Sequence, residues 1–253
     1  MRQLEIDGAV IGDDSDCYVI AEIGHNHQGS VETAKRLLLA AKEAGASAAK
    51  LQKRDNRSLY TAAMYNKPYD HENSFGRTYG EHREFLELGE PEYRELQEYA
   101  KEVGITFFAT AFDVQSANLL AKIDVPAFKI ASGDLRNTPL LRHVAAFGKP
   151  IIVSTGGGTM EDVQRAYETI ATVNPRICFL QCTATYPSQP EEMNLRVIAT
   201  LREQFPDVVV GLSDHYNGIA LSVVAYMLGA RVIEKHFTLN HTWKGTDHAL
   251  SLE

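Results

Sequence analysis

The chain has 253 residues, 44% of them hydrophobic, and a formal net charge of -8, which is typical of a globular protein with a sizeable core. No apolar run approaches the roughly 20 residues of a membrane-spanning helix. The acidic balance argues against a broad nucleic-acid-binding surface, although a local site for a small phosphate ligand stays compatible with it.

The start, MRQLEIDGAV, lacks the charged and apolar regions of a signal peptide. Three cysteines, Cys17, Cys178 and Cys182, favour a reducing compartment over a disulfide scaffold. We therefore expect a cytoplasmic protein that acts on small molecules, with neither a membrane nor a nucleic acid as partner.

The predicted elements begin with a β-hairpin over residues 1–16, which we expect to close the bottom of the fold. Afterwards one unit recurs, in which a helical segment ends in Gly and an apolar strand with a polar tail follows. The eight predicted strands lie near 18–23, 48–53, 106–111, 127–131, 150–154, 177–182, 208–213 and 231–237. Runs that are apolar nearly throughout suit parallel strands covered on both faces. Eight alternations favour a (β/α)8 TIM barrel, with an open doubly wound sheet as the alternative.

Three segments depart from the simplest barrel pattern. Residues 54–90 form a long polar insert after the second strand, and loops of that length are usually functional or disordered. The helix GIALSVVAYML at 218–228 is almost wholly apolar, which predicts packing between neighbours. Because the last strand ends near Phe237, we expect the eighth helix to be lacking and residues 1–253 to form one catalytic domain.

Reactive side chains follow nearly every predicted strand, at the end where barrel enzymes carry their active sites. They are Glu22, Lys50, Gln52, Lys129, Ser132, Asp134, Ser154, Thr183, Tyr186, Ser213, His215, Glu234 and His236. Alternation along a strand places residues two apart on one face, as with Glu234 and His236. A lysine or glutamate pointing into a barrel is costly without a partner, so this pattern indicates a site.

Two kinds of ligand fit these side chains. Lys50, Lys129 and the glycine-rich turns STGGGT (154–159) and ASGD (131–134) suit a doubly anionic ligand such as a phosphate ester. His215 and His236 either hold a divalent metal or are hydrogen-bonded structural histidines, and the pattern leaves both readings open. The scattered histidines, His25 among them, are interpreted as surface or structural.

Several motifs together resemble the sialic acid synthase family. They are AEIGHNH (21–27), AAKLQK (48–53), TYGEHREFLEL (78–88), FKIASGD (128–134), STGGGT (154–159), QCTATYPSQPEEMNLR (181–196), GLSDH (211–215), IEKHFTL (233–239) and WKGTDHALSLE (243–253). The resemblance runs in order across almost the entire chain. It implies a TIM barrel that condenses phosphoenolpyruvate with an N-acylmannosamine-type aldose, giving a nine-carbon sugar acid and phosphate.

The resemblance also implies roles for single residues. Phosphoenolpyruvate would be held by Lys50, Lys129, Ser132, Ser154 and Ser213, and the sugar would contact Gln52, Asp134, Tyr186 and Asp247. Thr183 is a further candidate substrate contact because of its position at the end of the sixth predicted strand. His215 and His236 would bind Mn²⁺ or Mg²⁺. Glu22, Glu234 and Asp134 are the candidate catalytic carboxylates, and Glu22 would stabilise positive charge or guide water.

Further consequences of the resemblance concern assembly. Family members continue into a small C-terminal antifreeze-like domain, which we expect to be absent from this chain, and pairing into a homodimer stays open. Two other functions are retained: a Schiff-base sugar-acid aldolase with Lys129 as nucleophile, and a non-catalytic barrel that binds a sugar phosphate. Which aldose is the acceptor, and whether it is phosphorylated, is left open.

Overall fold

A small antiparallel hairpin precedes the main sheet in the computed structural model, which describes residues 2–253. Its strands are β1 (Gln3–Ile6) and β2 (Ala9–Gly12). The side chains of Ile6 and Ile11 are buried in the core, and Arg2 Nε donates to the Val208 carbonyl at 2.7 Å, just before a barrel strand begins. The hairpin therefore covers the N-terminal end of the barrel, as the sequence predicted.

Eight parallel strands close into a barrel, in which each strand pairs with the next along the chain and the last pairs with the first. They are β3 (Tyr18–Gly24), β4 (Ala48–Lys53), β5 (Thr106–Ala111), β6 (Phe128–Ile130), β7 (Ile151–Ser154), β8 (Ile177–Cys182), β9 (Val209–Asp214) and β10 (Val232–His236). All eight predicted strands are present, and the TIM-barrel prediction is confirmed. Their side chains are buried almost throughout because helices cover the outer face and side chains fill the interior.

Seven helices connect the eight barrel strands, and three short ones lie in the insert. The connecting helices are α1 (Val31–Glu43), α5 (Glu90–Val103), α6 (Val114–Lys122), α7 (Thr138–Ala145), α8 (Met160–Ala171), α9 (Val197–Gln204) and α10 (Ala220–Met227). The insert carries α2 (Asn56–Leu59), α3 (Ala62–Tyr65) and α4 (Tyr79–Leu86). Local sequence sets the helix starts: Thr159 and Asp162 form a reciprocal capping box before α8.

The apolar helix α10 packs on one side only, so the prediction that it lies between neighbours is wrong. Ile219 and Met227 are 63% and 78% exposed, and Ala225 is the buried residue of the helix. Residues 237–253 follow β10 as a loop with one 3-10 turn at His248–Leu250, and no α-helix follows β10 within residues 2–253. This segment folds over the barrel mouth instead of along its side, which leaves the outer flank of α10 open to solvent.

Gly211 lies where strands β8, β9 and β10 approach closely. A Cβ atom at this position would lie 2.2 Å from the Val232 carbonyl oxygen and 2.6 Å from Leu180 Cδ2. We expect Gly211→Ala to lower the free energy of unfolding by about 1–3 kcal/mol, because backbone cannot move aside as a flexible side chain can. Urea unfolding measures the loss, and Gly133→Ala is the matched control because its Cβ would meet nothing within 4 Å. Equal stability of the two variants would contradict the predicted clash.

Candidate active site

A cavity of about 560 Å³ opens at the C-terminal ends of the barrel strands. The predicted site residues that line it are Glu22, Lys50, Gln52, Lys129, Ser132, Ser154, Tyr186, Ser213, His215, Glu234, His236 and Asp247. They come from six strands and from the loops that follow them, so residues far apart in the chain meet at one place. The size suits a small ligand and not a polymer.

Lys50 lies at the floor of the cavity between two glutamates. Its ammonium contacts the Glu22 carboxylate, lies 3.7 Å from Glu234 Oε2 and donates to Thr110 Oγ1 at 2.8 Å. Gln52 Nε2 donates to the other Glu22 oxygen at 2.7 Å. The charged side chains of the cavity floor therefore form an ionic network. They can remain charged although they are buried because each pairs with an opposite charge.

Lys129 completes this network from the opposite side of the floor. Its Nζ donates to Ser154 Oγ at 2.7 Å and lies 3.7 Å from Glu234 Oε1, which also accepts from Ser213 Oγ at 3.2 Å. Burial lowers the pKa of Lys129 although the Glu234 charge opposes this. Burial would raise the pKa of Glu234, but the charges of Lys129 and Lys50 outweigh it and keep that pKa below its usual value. Glu234 is accordingly a carboxylate shared by both lysines.

Residues along β10 alternate between the cavity and the outer layer. Glu234 and His236 line the cavity, whereas Lys235 between them faces outward and lies 3.2 Å from Asp214 Oδ2. Ser222 of α10 donates to the same carboxylate at 2.6 Å. The outward pair therefore attaches α10 to the barrel while its neighbours in sequence carry the site.

His215 and His236 face each other with ring centroids 5.5 Å apart. Nδ1 of His215 lies 2.8 Å from the Thr183 carbonyl, so this nitrogen carries the proton and Nε2 keeps its lone pair. Nδ1 of His236 is buried without a hydrogen-bond partner and lies 3.8 Å from Asp247 Oδ2.

This pair fits a divalent cation with two protein ligands. Within residues 2–253 no group of three or more His, Cys, Asp or Glu side chains is arranged to hold a metal. The two imidazoles, His215 with its Nδ1 hydrogen-bonded and His236 with an unsatisfied Nδ1, nonetheless match the donors that Mn²⁺ or Zn²⁺ accepts. Water and substrate would fill the remaining positions, as in catalytic metal sites that keep open coordination.

Two predicted site residues do not line the cavity. Asp134 is half-buried and its Oδ1 accepts from Asn137 Nδ2 at 3.0 Å, near the start of α7. Thr183 lines a neighbouring cavity, and its hydroxyl donates to the Glu192 carbonyl at 2.9 Å. Its own carbonyl orients His215, so Thr183 contacts the site through the backbone only.

Sequence reasoning missed several residues that line the cavity, among them His25, Arg54, Arg83 and Thr110. His25, which was interpreted as a surface or structural histidine, is partly buried near the mouth and lines the cavity. Thr110 pairs in register with Lys129, and its position as the second-last residue of β5 was the available signal. No short-range pattern marks Arg83, which α4 of the insert carries to the mouth.

None of the helices within residues 2–253 is both long enough and apolar enough to cross a membrane. The three cysteines are free thiols, with Cys178 and Cys182 buried.

Comparisons with known proteins agree with the family resemblance that the motifs indicate. The chain is 46% identical to human N-acetylneuraminate-9-phosphate synthase over 246 residues, which is 97% of this chain and 68% of the human protein. It is 37% identical to N,N'-diacetyllegionaminic acid synthase of Legionella pneumophila, over 96% of this chain and 69% of that protein. The solved N-acetylneuraminic acid synthetase of Leptospira borgpetersenii superposes with a TM-score of 0.88 at 31% identity, covering 100% of this chain and 84% of that one.

These relatives are named as synthases, so the comparisons do not favour either alternative function, the aldolase or the non-catalytic barrel. The sequence model of the NeuB family matches residues 37–253, most of the barrel. The chain therefore belongs to the NeuB family, the family of the sialic acid synthases that its motifs resemble.

Proposed function

We propose that the chain condenses phosphoenolpyruvate with an N-acylmannosamine-type aldose, giving a nonulosonate and inorganic phosphate. The observation that carries this proposal is the convergence of Lys50 and Lys129 on Glu234, beside the facing rings of His215 and His236. Two buried ammonium groups suit the carboxylate and phosphate of the enol phosphate, and the similar synthases support the same reaction.

The glycine-rich turn after β7 gives the phosphate room to approach backbone. The Gly156 N–H donates to Ser132 Oγ at 3.0 Å, and a Cβ on Gly156 would lie 2.8 Å from that oxygen and 3.1 Å from Cys182 Sγ. A side chain here would displace the hydroxyl that, with Ser154, we assign to the phosphate. Glycine therefore keeps this wall of the site open.

The reaction then balances as follows. C3 of phosphoenolpyruvate attacks the aldehyde carbon, a new C–C bond forms, and the aldehyde oxygen takes a proton to become a hydroxyl. The resulting positive charge at C2 is stabilised by the carboxylate of Glu22, which also guides water to C2. The water loses a proton, and the tetrahedral C2 collapses to a ketone as inorganic phosphate leaves beside Lys50 and Lys129.

His215 and His236 would hold Mn²⁺ or Mg²⁺, which supplies a Lewis acid that polarises the aldehyde. Tyr186 lies against the imidazole of His215 with ring centroids 4.0 Å apart, and we assign to it, Gln52 and Asp247 the contacts with the sugar. We also propose that Asp134 and Thr183 contact the bound sugar. Neither lines the cavity, so both would have to approach the sugar when it binds.

The test is phosphate release from phosphoenolpyruvate with N-acetylmannosamine or its 6-phosphate and Mn²⁺. We expect release that requires both substrates and stops with a chelator. Incubation with pyruvate and borohydride should leave no adduct on Lys129, because the proposed reaction uses no Schiff base. An adduct would instead favour the aldolase, and a lack of phosphate release with every acceptor would favour a non-catalytic barrel.

We also propose the cytoplasm as the compartment, since free thiols are typical of reducing surroundings. A homodimer remains a proposal that sedimentation at several concentrations would test.

A further inference from the structure

One buried side chain joins the two ends of the C-terminal segment, residues 237–253, which folds over the barrel mouth. Asn26, in the loop after β3, is only 2% exposed. Its Nδ2 donates to the Phe237 carbonyl at 2.9 Å and to Ser251 Oγ at 3.0 Å. Both N–H groups of the amide are therefore used, one near each end of the segment. Because a buried amide that lost these acceptors would be destabilised, Asn26 holds the segment closed.

The connection continues from Ser251 to a residue of the active-site cavity. Ser251 Oγ, which accepts from Asn26, donates to the Asp247 backbone carbonyl at 2.7 Å. Asp247 lines the cavity, and its Oδ2 lies 3.8 Å from Nδ1 of His236. Asn26 itself does not line the cavity. It therefore reaches the site only through Ser251 and Asp247.

The location of Asp247 depends on such contacts because this residue lies outside the strands and helices of the barrel. Its Oδ1 accepts from the adjacent Thr246 Oγ1 at 2.8 Å, a bond that moves with the loop and cannot anchor it. The Leu252 N–H donates to the His236 carbonyl at 2.7 Å, which fixes the end of the segment but not the loop before it. The hydrogen bond from Ser251, in contrast, is made to Asp247 itself.

We propose that Asn26 is a positioning residue, which through Ser251 holds Asp247 at the place where it contacts the acceptor sugar. This inference rests on the proposed condensation, in which phosphoenolpyruvate lies at the floor against Lys50 and Lys129. Without the Asn26 hydrogen bonds, the segment opens and Asp247 moves away from the sugar. The floor keeps its own ionic network, so binding of phosphoenolpyruvate is unaffected.

The experiment measures KM for both substrates in the wild type and in Asn26→Ala. We expect KM for N-acetylmannosamine, or for its 6-phosphate if the wild type uses that sugar instead, to rise about 10-fold because the sugar loses a hydrogen-bonding partner. KM for phosphoenolpyruvate should stay within about two-fold of the wild-type value, since the floor is intact. A general loss of folded protein would move neither KM.

Trp243 reports on the segment independently of activity. It is the single tryptophan of the chain, and its ring packs edge-on against His248 with centroids 5.9 Å apart. Opening of the segment should therefore increase the quenching of its fluorescence by acrylamide in Asn26→Ala. Ser251→Ala, which keeps the bond from Asn26 to Phe237, should change the sugar KM and the quenching in the same direction, and it serves if Asn26→Ala folds poorly.

Asn174→Ala is the matched control, because Asn174 is also a 2% exposed asparagine whose Nδ2 donates to a backbone carbonyl, that of Lys149, at 2.7 Å. It precedes β8 and so lies at the end of the barrel opposite the mouth. We expect a loss of stability in this variant, with both KM values and the Trp243 quenching unchanged.

Equal rises of both KM values in Asn26→Ala, a sugar KM that does not rise, or unchanged Trp243 quenching would each overturn the inference while the condensation stands. If the wild type does not condense the substrates, the quenching decides alone. Quenching that increases in Asn26→Ala but not in Asn174→Ala then supports the role of Asn26, and unchanged quenching refutes it.

Discussion

Lys50→Met is expected to lower kcat/KM by about 1000-fold and to destabilise the fold by about 3–5 kcal/mol. The activity falls because an ammonium that is assigned to the enol phosphate is gone. The stability falls because Glu22 and Glu234 remain buried with less positive charge between them. Phosphate release and urea unfolding measure the two effects on the same preparation.

Lys53→Met separates these effects, because Lys53 is also a buried, ion-paired lysine of β4. Its partner Glu87 lies 2.7 Å away, and neither residue lines the active-site cavity. We expect a comparable loss of stability but activity within a few fold of the wild type for the folded protein. If both variants lose activity equally, Lys50 acts through stability alone and its assignment to the substrate fails.

His236→Ala should abolish tight Mn²⁺ binding and reduce phosphate release by about 1000-fold, since Lewis-acid catalysis contributes several kcal/mol. Its Nδ1 has no hydrogen-bond partner in the described chain, so little structural bonding is lost with the ring. Calorimetry with Mn²⁺ measures binding directly and does not depend on activity. His215→Ala should behave in the same way.

His241→Ala is the control for this pair, because His241 follows His236 closely in the chain but lies outside the cavity. Its side chain is 43% exposed, and its Nε2 lies 2.7 Å from the Ser251 carbonyl. Unchanged Mn²⁺ affinity is expected. Retention of Mn²⁺ binding by both His215→Ala and His236→Ala would refute the two-imidazole site.

The barrel was predictable because its signals are local. Apolar runs, a glycine after four of the seven connecting helices and caps such as Thr159 with Asp162 lie within a few residues of the structure they define. Alternation along a strand likewise predicted that Glu234 and His236 share a face. Most of the site residues were predictable because they lie at strand ends, and a parallel barrel brings the C-terminal ends of all its strands to one mouth.

The mouth was not predictable because distant segments build it. Asn73 Oδ1 accepts from the Gly245 N–H at 3.0 Å, and Gln28 Nε2 donates to the Lys244 carbonyl at 2.7 Å, so the insert and the C-terminal segment meet only in the folded chain. Arg83 becomes a cavity residue through that arrangement. The exposed flank of α10 was mispredicted for a related reason: apolar composition does not reveal which neighbours cover a helix.

The alternation along β10 constrains the number of residues in the strand as well as their identity. Deleting or inserting a single residue within this strand would turn Lys235 toward the floor and send Glu234 and His236 out against α10. The lysines of the floor would then meet a third cation, and the outward Asp214 would meet an acid. Insertion or deletion of one residue in β10 would therefore remove the site even if every side chain of the strand were retained.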